Sequence, residues 1–203
     1  MFAESVKSKI EEILSCSAPV ELMNKETLVL NLVFMLQVIK ASNNLIKQAI
    51  LNDRGCSNFD MELNRYLTIH EKEEEDHDKW LERDLADNGV NPEGYPIMRK
   101  AVEMAGTQYY MINHVHPVAI LGYMAVLEGF PVGLDVIEKL EEEHGKSLLR
   151  TLRYHAENDL DHREDVFKMI DSAPDDLHDI IMQSAIQTAI YIVEVTHQWR
   201  NSM

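Results

Sequence analysis

The apolar residues of this chain recur with a helical period along almost its whole length, and nothing competes with that period. Val6, Ile10, Ile13 and Leu14 mark a first short helix. A second is predicted from about Asn24 to Asn52, apolar on more than half its circumference, which is the pattern of a central, deeply buried helix. The spacing predicts a third helix from about Phe59 to Ala86, ended by Asn88-Gly89. A fourth covers roughly Ile97 to Asn113. Pro117 then restarts the chain as a helix running to Glu128. Leu134 to His144 is short and closed by Gly145. Ser147 to Ile170 reads as one long helix, and Asp175 to Trp199 as the last. No stretch alternates as a strand would, and 8 Gly and 6 Pro leave little room for a turn-rich β-architecture. The expectation is an all-α fold: one domain over residues 1–203, a bundle of about seven helices.

Charge narrows the partners. Asp plus Glu number 35 and Lys plus Arg 19, a net charge of −16. That surplus argues against nucleic acid, whose phosphates need a basic face, and against an anionic membrane surface. The N-terminus lacks the basic start and apolar run of a signal peptide. The most apolar stretch, Leu28 to Ile39, is too short to span a bilayer. Cys16 and Cys56 cannot make a disulfide framework, which suits the reducing cytoplasm. The 9 His stand out: an acidic chain with that many imidazoles has the raw material of a metal site.

The sharpest local pattern is His155-x-x-x-Asp159-x-x-His162. On a helix, positions i, i+4 and i+7 share one stripe, so two imidazoles and a carboxylate face one point, a donor set suited to non-haem iron and similar divalent ions. Glu74-x-x-His77 is the i, i+3 pair used by di-metal helical bundles, and His70, seven residues before His77, is placed on the same stripe. Glu-x-x-His recurs at Glu141/His144, read as a surface His near a helix C-terminus, and at Glu194/His197, read as a hydrogen-bonded, partly buried His. Glu128 directly follows the apolar run Ile120 to Leu127 and is expected to be at least half buried, which is costly for a carboxylate unless it is paired or metal-bound. Taken together, three helices offer His77, His155, His162, Glu74, Glu128 and Asp159, enough donors for two ions with open positions. Tyr at helical spacing, as at Tyr109-Tyr110, Tyr123 and Tyr154, is read as core ahead of pocket lining.

On those residues the chain resembles the haem-oxygenase-like di-metal oxidases, relatives of the thiaminase II and pyrroloquinoline-quinone synthase folds. That group carries a Glu and a His on one core helix, a lone Glu on a later one, and His-x-x-x-Asp/Glu-x-x-His on a third. Order and approximate spacing agree from Tyr66 to Asp165. Some members place the first Glu seven residues before the His, where this chain has His70, so Glu74 and His70 stand as alternatives for that ligand. The resemblance implies two Fe(II) ions, with Mn or a mixed pair compatible with the same donors, O₂ and a small-molecule substrate as partners, and a homodimer. It leaves two rivals: a metal-free thiaminase- or quinone-synthase-like enzyme, and a non-catalytic metal- or protein-binding bundle.

Overall fold

The structure is a computed structural model that describes residues 1–158 and 160–200, leaving aside the side chains of 158, 160–162, 199 and 200. Among the described residues the chain contains no strand. Its helices are α1 (Phe2–Leu14), α2 (Lys25–Leu51), α3 (Asn58–Glu73), α4 (His77–Asp87), α5 (Arg99–His114), α6 (Ala119–Leu127), α7 (Leu134–His144), α8 (Arg150–Asn158), α9 (Leu160–Asp171) and α10 (His178–Arg200). The all-α expectation holds. Local chemistry sets several boundaries. The Asn24 side chain accepts the Thr27 backbone N–H at the start of α2, and Ser57 and Asp60 close a reciprocal capping box at the start of α3. Gly145 ends α7 with φ +94°, a conformation that favours glycine.

One of the predicted long helices is divided. The third breaks after Glu73, and α4 restarts at His77. The break is made by Asp76, the only non-glycine residue with positive φ among the described residues, at φ 72°. Such a residue costs roughly 1 kcal/mol, and Asp tolerates it better than most side chains do. The run Glu71 to Asp78 contains no Gly or Pro, so the sequence carries no breaker there. His70 and His77 therefore do not share one helical stripe. The helix expected from Ser147 to Ile170 is described on either side of residue 159, as α8 and α9, and residue 159 itself lies outside the described residues. The last helix begins at His178, because Asp175–Leu177 forms a separate 3-10 turn.

The core is organised around α2 and α6. Every residue from Ala119 to Val126 is buried. Gly122 lets α6 meet α10 backbone to backbone: a Cβ there would lie 2.2 Å from the Ile181 carbonyl oxygen. Ser184 of α10 donates to the Ala119 carbonyl at 2.6 Å, and Gln108 of α5 joins the same buried network by donating to Thr188. α2 is long and apolar enough to cross a membrane, in contrast to the shorter stretch singled out from sequence, but here it packs against α3, α4, α5 and α10 as a core helix.

Asp84 of α4 joins that helix to the start of α8. Its carboxylate accepts from the Thr151 N–H and hydroxyl, each at 2.7 Å, and from Arg150 Nε at 2.8 Å. Glu141 of α7 accepts a two-pronged bond from Arg153 of α8, at 2.8 and 2.7 Å. α8 is thus fixed from two sides.

Candidate functional site

Four helices bring His70, Glu74, His77, Glu128 and His155 to one region. His70 lies in the last turn of α3, Glu74 is the residue that ends it, and His77 opens α4. Glu128 ends α6, and His155 lies on α8. His77 Nδ1 and Glu74 Oε2 are 2.8 Å apart, and His70 Nε2 and Glu128 Oε1 3.1 Å apart. The rings of His77 and His155 meet edge to face, 4.9 Å between centroids, with Trp80 against His77 at 4.3 Å. His70 and His77 are buried, and both carboxylate side chains are 17% exposed.

The electrostatics follow from that packing. Burial opposes the charged form of Glu74, but the hydrogen bond from His77 and the neighbouring imidazoles of His77, His70 and His155 outweigh it and lower its pKa. For His70, burial again opposes the charge, while Glu128, Glu74 and Glu73 outweigh it and raise the pKa. The Tyr66 phenol is pushed up by burial first and then by Glu128, Asp165, Glu73 and Glu74. Its hydroxyl is buried without a hydrogen-bond partner among the described residues, beside the His70 ring.

Of the residues singled out from sequence, these five come together, whereas Asp159 and the His162 side chain lie outside the described residues. Among the described residues no three His, Cys, Asp or Glu groups are already arranged around one ion; the carboxylates are answered by imidazoles instead. The donor types, their burial and their proximity fit a divalent transition-metal site, since imidazole and carboxylate are the donors such ions take. His70 and Glu74, the two alternatives for the first-helix ligand, both lie in this region, on different carboxylate–imidazole pairs.

The other Glu-x-x-His pairs lie elsewhere. His144 is not on the surface: its side chain is 4% exposed and its Nε2 meets the Met23 carbonyl at 2.9 Å, while Glu141 is taken by Arg153. His197 is hydrogen-bonded, to the Cys16 carbonyl at 2.7 Å, but exposed. Both cysteines are exposed. Tyr123 is core, whereas Tyr109, Tyr110 and Tyr154 are exposed.

What the sequence did not reveal is the space beside the cluster. A cavity of about 260 Å³ is lined at one end by His70, Glu74, Glu128 and His155. From there it follows α2 back toward Leu14 and Val20, between apolar side chains such as Phe34, Met35 and Val38. Asp84 was missed too, because nothing in Leu81-Glu-Arg-Asp-Leu85 distinguishes a buried Asp from its wet neighbours.

No protein-family model and no curated protein matches the sequence. Solved structures do. One is a domain of unknown function with a haem oxygenase-like fold from Shewanella denitrificans: TM-score 0.70, 15% identity, covering 98% of this chain and 88% of that one. The chain has a haem-oxygenase-like fold. A second neighbour with this architecture is a TenA homologue from Pseudomonas syringae pv. tomato, with TM-score 0.72 and 12% identity, covering 98% of this chain and 90% of that one. At these identities the haem-oxygenase-like likeness concerns the path of the backbone, and the chemistry has to be argued from the side chains.

Proposed function

We propose that this chain is a non-haem di-metal enzyme that uses O₂ to oxidise a small organic substrate. The observation that carries the proposal is that five donors scattered from His70 to His155 come together, and four of them, His70, Glu74, Glu128 and His155, line one end of an apolar cavity. Glu74, His77, His155, Glu128, Asp159 and His162 would hold two Fe(II) ions, with His70 as a further donor. Mn or a mixed pair suits the same groups. Bound iron supplies the redox steps that O₂ requires and that these side chains cannot perform.

The chain's own residues do the rest. Pairing with imidazoles favours the ionised form of Glu74, and so its readiness to bind a cation, despite burial. Trp80 and Tyr154 pack around the His77 ring and hold its orientation. The apolar wall from α2 and α6 limits water beside the reacting end. A small molecule and O₂ as partners, a homodimer and the reducing cytoplasm complete the proposal. The net charge of −16 supports the exclusion of nucleic acid and anionic membrane.

A second reading is a metal-free enzyme of the kind the TenA homologue's name suggests, and a third is a binding bundle without catalysis. The second is favoured by one observation: each of the two carboxylates lies within hydrogen-bonding distance of an imidazole, His77 for Glu74 and His70 for Glu128.

Anaerobic Fe(II) loading of the purified chain, followed by metal analysis and anomalous scattering at the iron edge, tests the proposal. The expected result is close to two ions per chain beside His77 and His155, with His162→Ala and His155→Ala each lowering iron content to half or less. Unchanged iron content in both variants, or no bound iron, overturns it. O₂ uptake by the loaded protein separates an oxidase from a passive binder.

A further inference from the structure

Two stretches of this acidic chain carry no charge. From Met104 to Leu127 the sequence has no Asp, Glu, Lys or Arg, and from Ile180 to Val193 it again has none. Burial accounts for α6, which lies in the first stretch. It does not account for the outer faces of α5 and α10. On α5, Val102 is 54% exposed and Tyr110 64%, with Gly106, Tyr109 and Asn113 exposed beside them. On α10, Gln183, Gln187 and Ile190 are exposed.

These faces are continuous. Lys100 of α5 pairs with Glu194 of α10, and the Thr107 and Tyr191 hydroxyls meet at 3.4 Å. On its other side α5 is joined to α2, where Asn52 donates to Asn113 at 3.1 Å and Leu51 stands exposed. The uncharged surface is about 20 Å long at 1.5 Å per residue and about 20 Å across three axes set 8–10 Å apart. A patch of that extent offers on the order of 800 Å² of accessible surface, what each partner contributes to a stable pair. Charges close its rim: Glu103 is held by Lys100, Lys40 by Glu82 and Lys47 by Glu71. An aromatic, uncharged centre inside a polar rim has the anatomy of a protein interface.

Charge and pattern together name the partner. Two copies at −16 repel wherever their acidic faces meet, so a surface without carboxylates is where they can associate. The pattern on α5 is also self-complementary. Antiparallel α5 helices related by a two-fold axis at Gly106 set Val102, four residues before it, against Tyr110, four after it, and do so twice. A Cβ at Gly106 would meet nothing within 4 Å among the described residues, and without one two helix backbones can approach closely.

We propose that a second copy of this chain docks here, α5 against α5 across a two-fold axis at Gly106, with α10 and α2 on the flanks. The proposal rests on the proposed function for the homodimer alone and is independent of metal.

Sedimentation velocity of the full chain in about 0.15 M salt is expected to show a species of twice 23.4 kDa. Raising the salt to about 0.5 M should tighten the dimer severalfold, because it screens repulsion and the centre of the face has no ion pair to lose. Gly106→Lys places two like charges on the axis and should weaken the dimer by at least about a hundredfold. Lys suits a helix better than Gly, so the helix content by circular dichroism should be undiminished. Ile69→Lys, at an exposed apolar residue of α3 outside the face, should leave the dimer intact. In a Cys16→Ser/Cys56→Ser chain, Gly106→Cys should oxidise to an intermolecular disulfide, and Ile69→Cys should not. A dimer that survives Gly106→Lys, or that Ile69→Lys weakens equally, overturns this surface and leaves the homodimer standing. A monomeric parent chain overturns both. Iron content, measured on the same samples, reports on the redox reading alone.

Discussion

α4 and α8 meet at two polar contacts, and the two are built from opposite materials. At one, Asp84 is answered by the Thr151 N–H and hydroxyl and by Arg150. At the other, seven residues earlier on α4, His77 faces His155 with Glu74 between imidazoles. Neither the amide, the hydroxyl nor the guanidinium gives up its proton near neutral pH, so the first contact has one state. An imidazole can lose its proton and offer a lone pair instead, so under the proposed function the second contact would exchange its internal partners for a metal cation. One contact fixes the distance between the helices, and the other uses that distance.

The comparison breaks most severely at Asp84. Asp84→Ala leaves the Thr151 N–H and hydroxyl buried without acceptors, and is expected to cost about 3 kcal/mol or more in urea denaturation. It should also lower iron affinity by displacing α8. A loss of stability under about 1 kcal/mol would show that the contact is not the fixed one.

The site end should behave in the opposite way. Replacing both members of the buried pair, in His70→Leu/Glu128→Met, removes two groups that are costly to bury. It should change the stability of the metal-free protein by no more than about 1 kcal/mol in either direction. Iron content, by contrast, should fall by half or more. A strongly destabilised double variant with full iron content would reverse the assignment of roles.

The smallest effect is expected at Glu141, which fixes α8 from the α7 side. The hydrogen bond from Arg153 holds its carboxyl below the ordinary glutamate value. A carboxylate lowered on folding contributes stability above its unfolded pKa, and that contribution is lost as pH falls through the folded value. Glu141→Gln should therefore lower the midpoint of thermal unfolding modestly and evenly between pH 6 and 8. The difference from the parent chain should shrink below about pH 4.5, near the ordinary pKa of a glutamate side chain. A difference that grows in acid would contradict the sign.

The sequence made the local parts of the site legible. Glu74 and His77 are three residues apart and do hydrogen-bond, and Glu128 stood out because a carboxylate ended an apolar run. The pairing of His70 with Glu128 was not legible, because it joins residues far apart in the chain through tertiary packing. The helix break was hidden for a different reason. Glu71 to Asp78 is a charged run with ordinary helix propensity, and the left-handed turn at Asp76 comes without a Gly or Pro to mark it. The fold was easier to read, since a helical period spread over nearly the whole chain averages out such local errors. The cavity left no trace, because it is lined by residues from several helices, each of which also reads as core.

Gly122 bears on how the cavity can change over evolutionary time. With α6 seated directly on the α10 backbone, that wall cannot retreat to admit a larger molecule, nor come closer to exclude one. If the cavity holds the substrate of the proposed reaction, its size is then tuned by side chains rather than by a shift of α6, most directly at Phe34, Met35, Val38, Ile39 and Ile46 of α2. Those positions are where a library aimed at new substrates should be randomised, with Gly122 left untouched.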